Sequence, residues 1–333
     1  MQASPEQVVS GAQEALVAAY LLDGDGAGRA IGWDEIASWE PRQGLLWVHL
    51  DLNATAAGDW LRERSGLDPA IVTALLAEET RPRSLIMPGG LLAILRGVNT
   101  NPGADPEDMV SIRVWIEARR IISTRLRRLA SIHDLREAID RGLGPRTTGE
   151  FLVQLADRLV FRMREVIEQV EDTVSSLEEA VLNEEGQRLR VALARVRREA
   201  ILLRRYLAPQ REALNRLVAE RTPILDEPER LRLREVADAV TRYVEELDAA
   251  RERSAVAQEE LAARLAEQVN QRMYVLSIVA ALFLPLGFLT GLLGINVGGI
   301  PGSEDPWAFF GVTGLMVLLI MVQLVIFRWR RWF

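Results

Sequence analysis

An α/β domain at the N-terminus, a long helical stalk and two C-terminal membrane helices are what this sequence predicts, on three observations. Short runs rich in β-branched residues alternate with helix-like stretches through residues 1–145. From about Phe151 the pattern is helical only, and beyond Arg272 two apolar runs carry almost no charge. The expected segments are 1–145 (α/β domain), 146–272 (stalk, its last helix entering the membrane), 273–296 (first span), 297–306 (outer link), 307–327 (second span) and 328–333 (basic tail).

In the first segment, Leu45–Leu52, the SLIMP run, Gly90–Asn99, MVSIRVWIEA and RIISTR read as strands. DWLRERSGL, DPAIVTALLAEE and the stretch after Arg127 read as helices, with Asp68-Pro69 as a start signal. Asn101-Pro102-Gly103 marks a turn between two strands.

The stalk is expected as three helices. Phe151–Asn183 is broken at Asn183-Glu-Glu-Gly186, a second helix runs from about Gln187 to Arg221, and a third starts at Asp226-Glu227-Pro228. In the third, Leu233, Val236, Val240, Tyr243, Leu247, Ala250, Ser254, Ala257 and Leu261 recur at the seven-residue spacing of packed helices. No strong breaker precedes Pro285, so this helix should run unbroken into the membrane, some 65 residues or roughly 100 Å.

The runs Met273–Leu293 and Trp307–Phe327 each match the hydrocarbon thickness at about 31 Å, and the short link between them demands a helical hairpin. Arg264, Arg272, Arg328, Arg330 and Arg331 flank the spans, while the link carries Glu304 and Asp305. Positive flanks stay inside, so both termini are expected in the cytoplasm. Trp307, Trp329 and Trp332 stand at interfacial positions.

Composition excludes several classes. With no cysteine there is no disulfide or thiolate site, and His49 and His133 form no HxxxH pair. Every basic residue is Arg, which removes catalytic lysine chemistry. A net charge of −7 argues against nucleic-acid binding. The first twenty residues lack a basic region followed by an apolar core, so no secretory signal is expected there. Dinucleotide fingerprint, P-loop and nucleophile elbow are all missing, so an enzyme is not expected. A membrane-anchored sensor or scaffold, its α/β domain binding a ligand, is one class that these exclusions leave open.

Asn270 to Asn296, NQRMYVLSIVAALFLPLGFLTGLLGIN, resembles the first membrane helix of the CorA superfamily of divalent metal ion transporters. That family carries an Asn at the cytoplasmic end, an FLP element in mid-membrane and a Gly-Met-Asn tripeptide at the outer end. Asn270, Phe283-Leu284-Pro285 and Gly294-Ile295-Asn296 stand at the matching places. The tripeptide is Gly-Ile-Asn here, followed by Val297-Gly298-Gly299-Ile300-Pro301-Gly302, a form similar to the ZntB branch. The resemblance implies zinc transport with nickel, cobalt and cadmium as companions; a magnesium or cobalt channel is the runner-up. It also implies a homopentamer in a bacterial-type inner membrane, with the first span of each subunit lining a pore and an Asn296 ring meeting the ion. The metal is cargo; no cofactor is implied.

From Met273 to Asn296 the only polar side chains are Tyr274, Ser277, Thr290 and Asn296, so the lining offers no carboxylate, imidazole or thiol to an ion. A largely hydrated ion drawn by field suits such a path. Counting inward from Asn296 at helical spacing gives Gly287, Leu284, Ala280, Leu276 or Ser277, Met273 and Asn270, with Thr290 a further lining candidate; Gly287, Thr290, Gly291 and Gly294 are also small helix-contact positions. The same count reaches Glu267, Glu260 and Glu252, either a cation-attracting funnel or a solvated face. Glu304 and Asp305 either concentrate cations at the outer mouth or keep the loop soluble; Asn296 also suits a helix cap. Pro285 is a candidate hinge.

Overall fold

The computed structural model describes residues 14–183, 186–295, 302 and 305–330. Two compact units divide the chain, one up to Gln258 and one from Glu259 onward.

The first unit is built on one seven-stranded mixed sheet. Its strands are β1 (Leu16–Leu22), β2 (Gly28–Ala30), β3 (Leu45–Asp51), β4 (Arg83–Met87), β5 (Gly90–Gly97), β6 (Val110–Ile116) and β7 (Arg120–Arg125), in the order β2-β1-β3-β7-β6-β5-β4. Every pairing is antiparallel except β3 with β7, where Trp47 lies opposite Ile121 and His49 opposite Ser123. The central strands carry apolar residues on both faces because both faces are covered: every residue of β5 and β6 is buried, Arg96, Ser111 and Arg113 among them.

Period-two alternation sorts the strand side chains into two cores. Leu46, Val48, Leu50, Leu92, Ile94, Trp115 and Ile122 pack on one side with Ile36 of α1 (Trp33–Ser38), Ala57 and Leu61 of α2 (Thr55–Glu63), and Ile71, Val72 and Leu75 of α3 (Pro69–Leu76). Asp68 caps α3, its side chain accepting from the Ala70 N–H. On the other side Trp47, Ala93, Leu95, Ile112 and Val114 join the apolar faces of α4 (Ala130–Asp140), α5 (Thr148–Asn183), α6 (Gln187–Ala219) and α7 (Glu227–Leu293). Phe151 of α5 meets the Trp47 ring edge-on at 5.1 Å.

Each residue of the seven-residue repeat in α7, from Leu233 to Leu261, is buried. The helix continues past Pro285 to Leu293, as the absence of an earlier breaker predicts. Element ends move by a few residues: the Gly90 strand stops at Gly97, α6 ends at Ala219, and the second apolar run is helical over Ala308–Trp329, here α8. Asn101-Pro102-Gly103 is the expected turn, with Gly103 at φ 76°. Sequence patterning did not anticipate β1, β2 or α1.

Candidate functional site

In the second unit, α7 and α8 are the two described helices long and apolar enough to cross a membrane. The less exposed positions on each helix recur every three to four residues: Ile278, Ala281, Leu282, Leu286 and Leu289 on α7, and Ala308, Val312, Met316, Leu319, Ile320, Gln323 and Phe327 on α8. These are two apolar stripes, tied where Gln323 Nε2 donates to the Ala281 carbonyl at 3.3 Å.

The stripe counted from the sequence falls elsewhere on α7. Asn270, Met273, Leu276, Ser277, Ala280, Leu284, Gly287 and Thr290 are all exposed in the single chain, Leu284 at 77% and Leu276 at 69%. Both hydroxyls in the span donate to their own helix, Ser277 to the Met273 carbonyl at 2.8 Å and Thr290 to that of Leu286 at 2.9 Å. With their protons engaged, these oxygens keep only lone pairs to offer, the polarity a cation or its waters accept. The helix ends at Leu293, after which the Gly294 N–H bonds the Thr290 carbonyl at 2.9 Å. A Cβ on Gly294 would come within 2.9 Å of that carbonyl oxygen, so the position suits glycine. Ile295 follows, half exposed. Asn296, with Val297 to Pro301 and Glu304, lies outside the described residues, as do Arg331 and Trp332.

The acidic candidates differ in their pairing. Glu252 in the first unit is exposed, 4.0 Å from Arg251. Glu260 pairs with Arg264 at 2.9 Å one turn on, whereas Glu267 accepts from the neutral Gln271 at 3.4 Å. Asp305 accepts from the Trp307 N–H at 2.9 Å at the start of α8. Trp307 and Trp329, both at least three-quarters exposed, mark the two ends of that helix.

The first unit holds buried polar groups that motif reading missed. Arg113 is fully buried and donates to the Ala77 and Glu78 carbonyls at 2.6 and 2.9 Å; burial pushes its pKa down to about 10. Arg96 donates to the Thr80 carbonyl at 2.8 Å and lies over the Tyr206 ring at 4.0 Å. Both arginines therefore secure the segment leaving α3, whose terminal carbonyls need donors. An arginine inside an otherwise apolar strand was the signal available. Among the described residues no group of three or more His, Cys, Asp or Glu is placed to hold a metal ion.

Two long apolar helices joined by the Gln323–Ala281 hydrogen bond have the build of a membrane protein, and the comparisons supply its class. Residues 42–331 match the family described as CorA-like Mg2+ transporter protein. The Divalent cation transporter CmaX of Pseudomonas aeruginosa is 41% identical over 97% of this chain and 98% of its own. A structure of full-length CmaX superposes with a TM-score of 0.84, covering 96% of this chain and 98% of that one, at 41% identity. The Zinc transport protein ZntB of Pectobacterium atrosepticum is 37% identical over 91% of this chain and 92% of its own. The complete CorA magnesium transporter from Methanocaldococcus jannaschii shares the fold at TM-score 0.79, covering 94% of this chain and 98% of that one, with 19% identity. The chain belongs to the CorA family and is a divalent cation transporter.

Proposed function

We propose that the chain carries zinc, with nickel, cobalt and cadmium as companion cargo, through a central pore lined by α7 of each copy in a homo-oligomer. The pore reading rests on the helical stripe from Asn270 to Thr290, which lies off the less exposed positions Ile278, Ala281, Leu282, Leu286 and Leu289; in the single chain Val275, Phe283 and Phe288 are exposed as well. Two spans cannot enclose a hydrated ion, so the stripe gains a purpose only when several copies meet. The family resemblance puts that number at five.

No charged side chain occurs from Met273 to Ser303, and the hydroxyl oxygens of Ser277 and Thr290 are poised as acceptors. Such a lining suits an ion that keeps most of its water. Selection then falls to the Gly294-Ile295-Asn296 tripeptide, in which the asparagine carries the one side-chain amide oxygen, and the apolar middle at Ala280 and Leu284 gates by dewetting. The arginine flanks put the first unit and the basic tail in the cytoplasm of a bacterial-type inner membrane. Zinc ranks first on the Gly-Ile-Asn tripeptide and on the name of the ZntB relatives. Magnesium is the second reading, favoured by the description of the matched family.

The test is flux into proteoliposomes, comparing zinc with magnesium for wild type and Asn296→Ala. Zinc flux that falls about tenfold or more in the variant is the expected outcome. Magnesium flux without zinc flux would reverse the choice of cargo, and an unaffected variant would move selection away from the tripeptide.

A further inference from the structure

Pro285 lies inside α7, and a proline has no N–H to give the carbonyl four residues back. That carbonyl belongs to Ala281. In water it would be solvated; inside a hydrocarbon layer it needs a protein donor. Gln323 of α8 supplies one, its Nε2 lying 3.3 Å from the Ala281 oxygen. The amide must be oriented this way round, because turning it would set oxygen against oxygen.

Gln323 is suited to this task alone. Between Ala308 and Phe327 the other polar side chain is Thr313, which donates to the Phe309 carbonyl of its own helix at 2.8 Å. Gln323 thus reaches across to α7 at the one carbonyl the proline releases. Ala281 sits in the covered stripe of α7, off the exposed stripe of Ala280, Leu284 and Gly287. The bond therefore anchors the helix one turn before its proline without entering the lining.

We propose that Gln323 is a positioning residue for transport: by occupying the carbonyl that Pro285 frees, it pins α7 to α8 at the break and sets the course of the lining helix. The inference rests on α7 lining the pore. Without the bond, α7 loses its fixed point at the proline, and the helix samples courses that do not keep the path open. The ion meets other residues, so the consequence is in the rate of passage and not in metal affinity.

The experiment is a double-mutant cycle on the full-length protein: wild type, Q323L, P285A and the double variant, each in proteoliposomes with whichever of zinc or magnesium the wild type carries. Flux is normalised to folded protein, and thermal unfolding in detergent is recorded alongside. Q323L is expected to lower maximal flux about fivefold or more at an unchanged half-saturating metal concentration. In the P285A background the residue at 285 restores the N–H, so the same substitution should change flux by less than about twofold. Equal losses in both backgrounds, a loss appearing only as weaker half-saturation, or lowered thermal stability with unchanged flux would each overturn the proposal. A wild type without any metal flux would instead overturn the pore reading, while the thermal cycle would still report whether positions 285 and 323 are coupled.

Discussion

His49 shows how much one side chain in the sheet can govern. It is fully buried, its Nδ1 lies 2.8 Å from Ser123 Oγ, and the same hydroxyl accepts from Trp47 Nε1 at 2.9 Å. Nε2 has no hydrogen-bond partner among the described residues. Burial first, then the charges of Arg125 and Arg136, hold its pKa down to about 3 from the usual 6.5. In that window the unfolded chain takes up a proton that the folded chain refuses. The stability contribution is thus complete above the unfolded value and lost as pH falls below it, by about 1.4 kcal/mol per pH unit. His49→Gln should flatten this acid sensitivity. Thermal midpoints in detergent from about pH 7.5 to about pH 5 are expected to fall less in the variant than in wild type. Parallel curves would mean that His49 does not supply the slope. The site was half legible here: a histidine within the apolar run Leu45–Leu50 signals burial, but its partner Ser123 comes from a strand paired across 74 residues of chain.

At the scale of elements, legibility followed how local each signal is. The seven-residue repeat on α7 is written into consecutive turns of one helix, so every predicted member is found buried. β1 escaped because LVAAYLL, covered on both faces of the sheet, shows no alternation and reads equally as helix or strand. β2 spans three residues, and α1 only six, too short for a helical period to emerge. The repeat also carries an energetic expectation. Leu247 is fully buried in the core shared by α5, α6 and α7. Leu247→Ala should cost about 2–5 kcal/mol, lost methylenes plus the cavity they leave. Hydrogen exchange across the stalk helices, faster in the variant than in wild type, would register that loss. Unchanged protection would show that the repeat is not what holds the bundle.

For the whole molecule, the order of sheet domain, helical bundle and apolar helices was legible because each has its own composition, whereas the distribution of effective charge was not. Sequence counting placed Glu260 and Glu267 together as equal candidates, since helical spacing cannot say which carboxylate is already neutralised. Glu260 is bonded to Arg264 at 2.9 Å, so the pair presents little net field. Glu267 bonds neutral Gln271 and forms no ion pair among the described residues. On the proposed pore reading, a carboxylate without an ion pair just before the apolar run of α7, repeated around an oligomer, raises the local cation concentration and with it the rate of ion passage. Screening makes the idea testable, because the Debye length shrinks from about 30 Å at 0.01 M salt to about 8 Å at 0.15 M. Glu267→Gln should therefore lower divalent-cation flux severalfold at low ionic strength and have little effect at the higher one. Glu260→Gln should do much less at either, its charge being offset already. If Glu267→Gln matches wild type at low salt, the carboxylates belong to a solvated helix face. If the two substitutions act equally, the Arg264 pairing has no electrostatic consequence for the path.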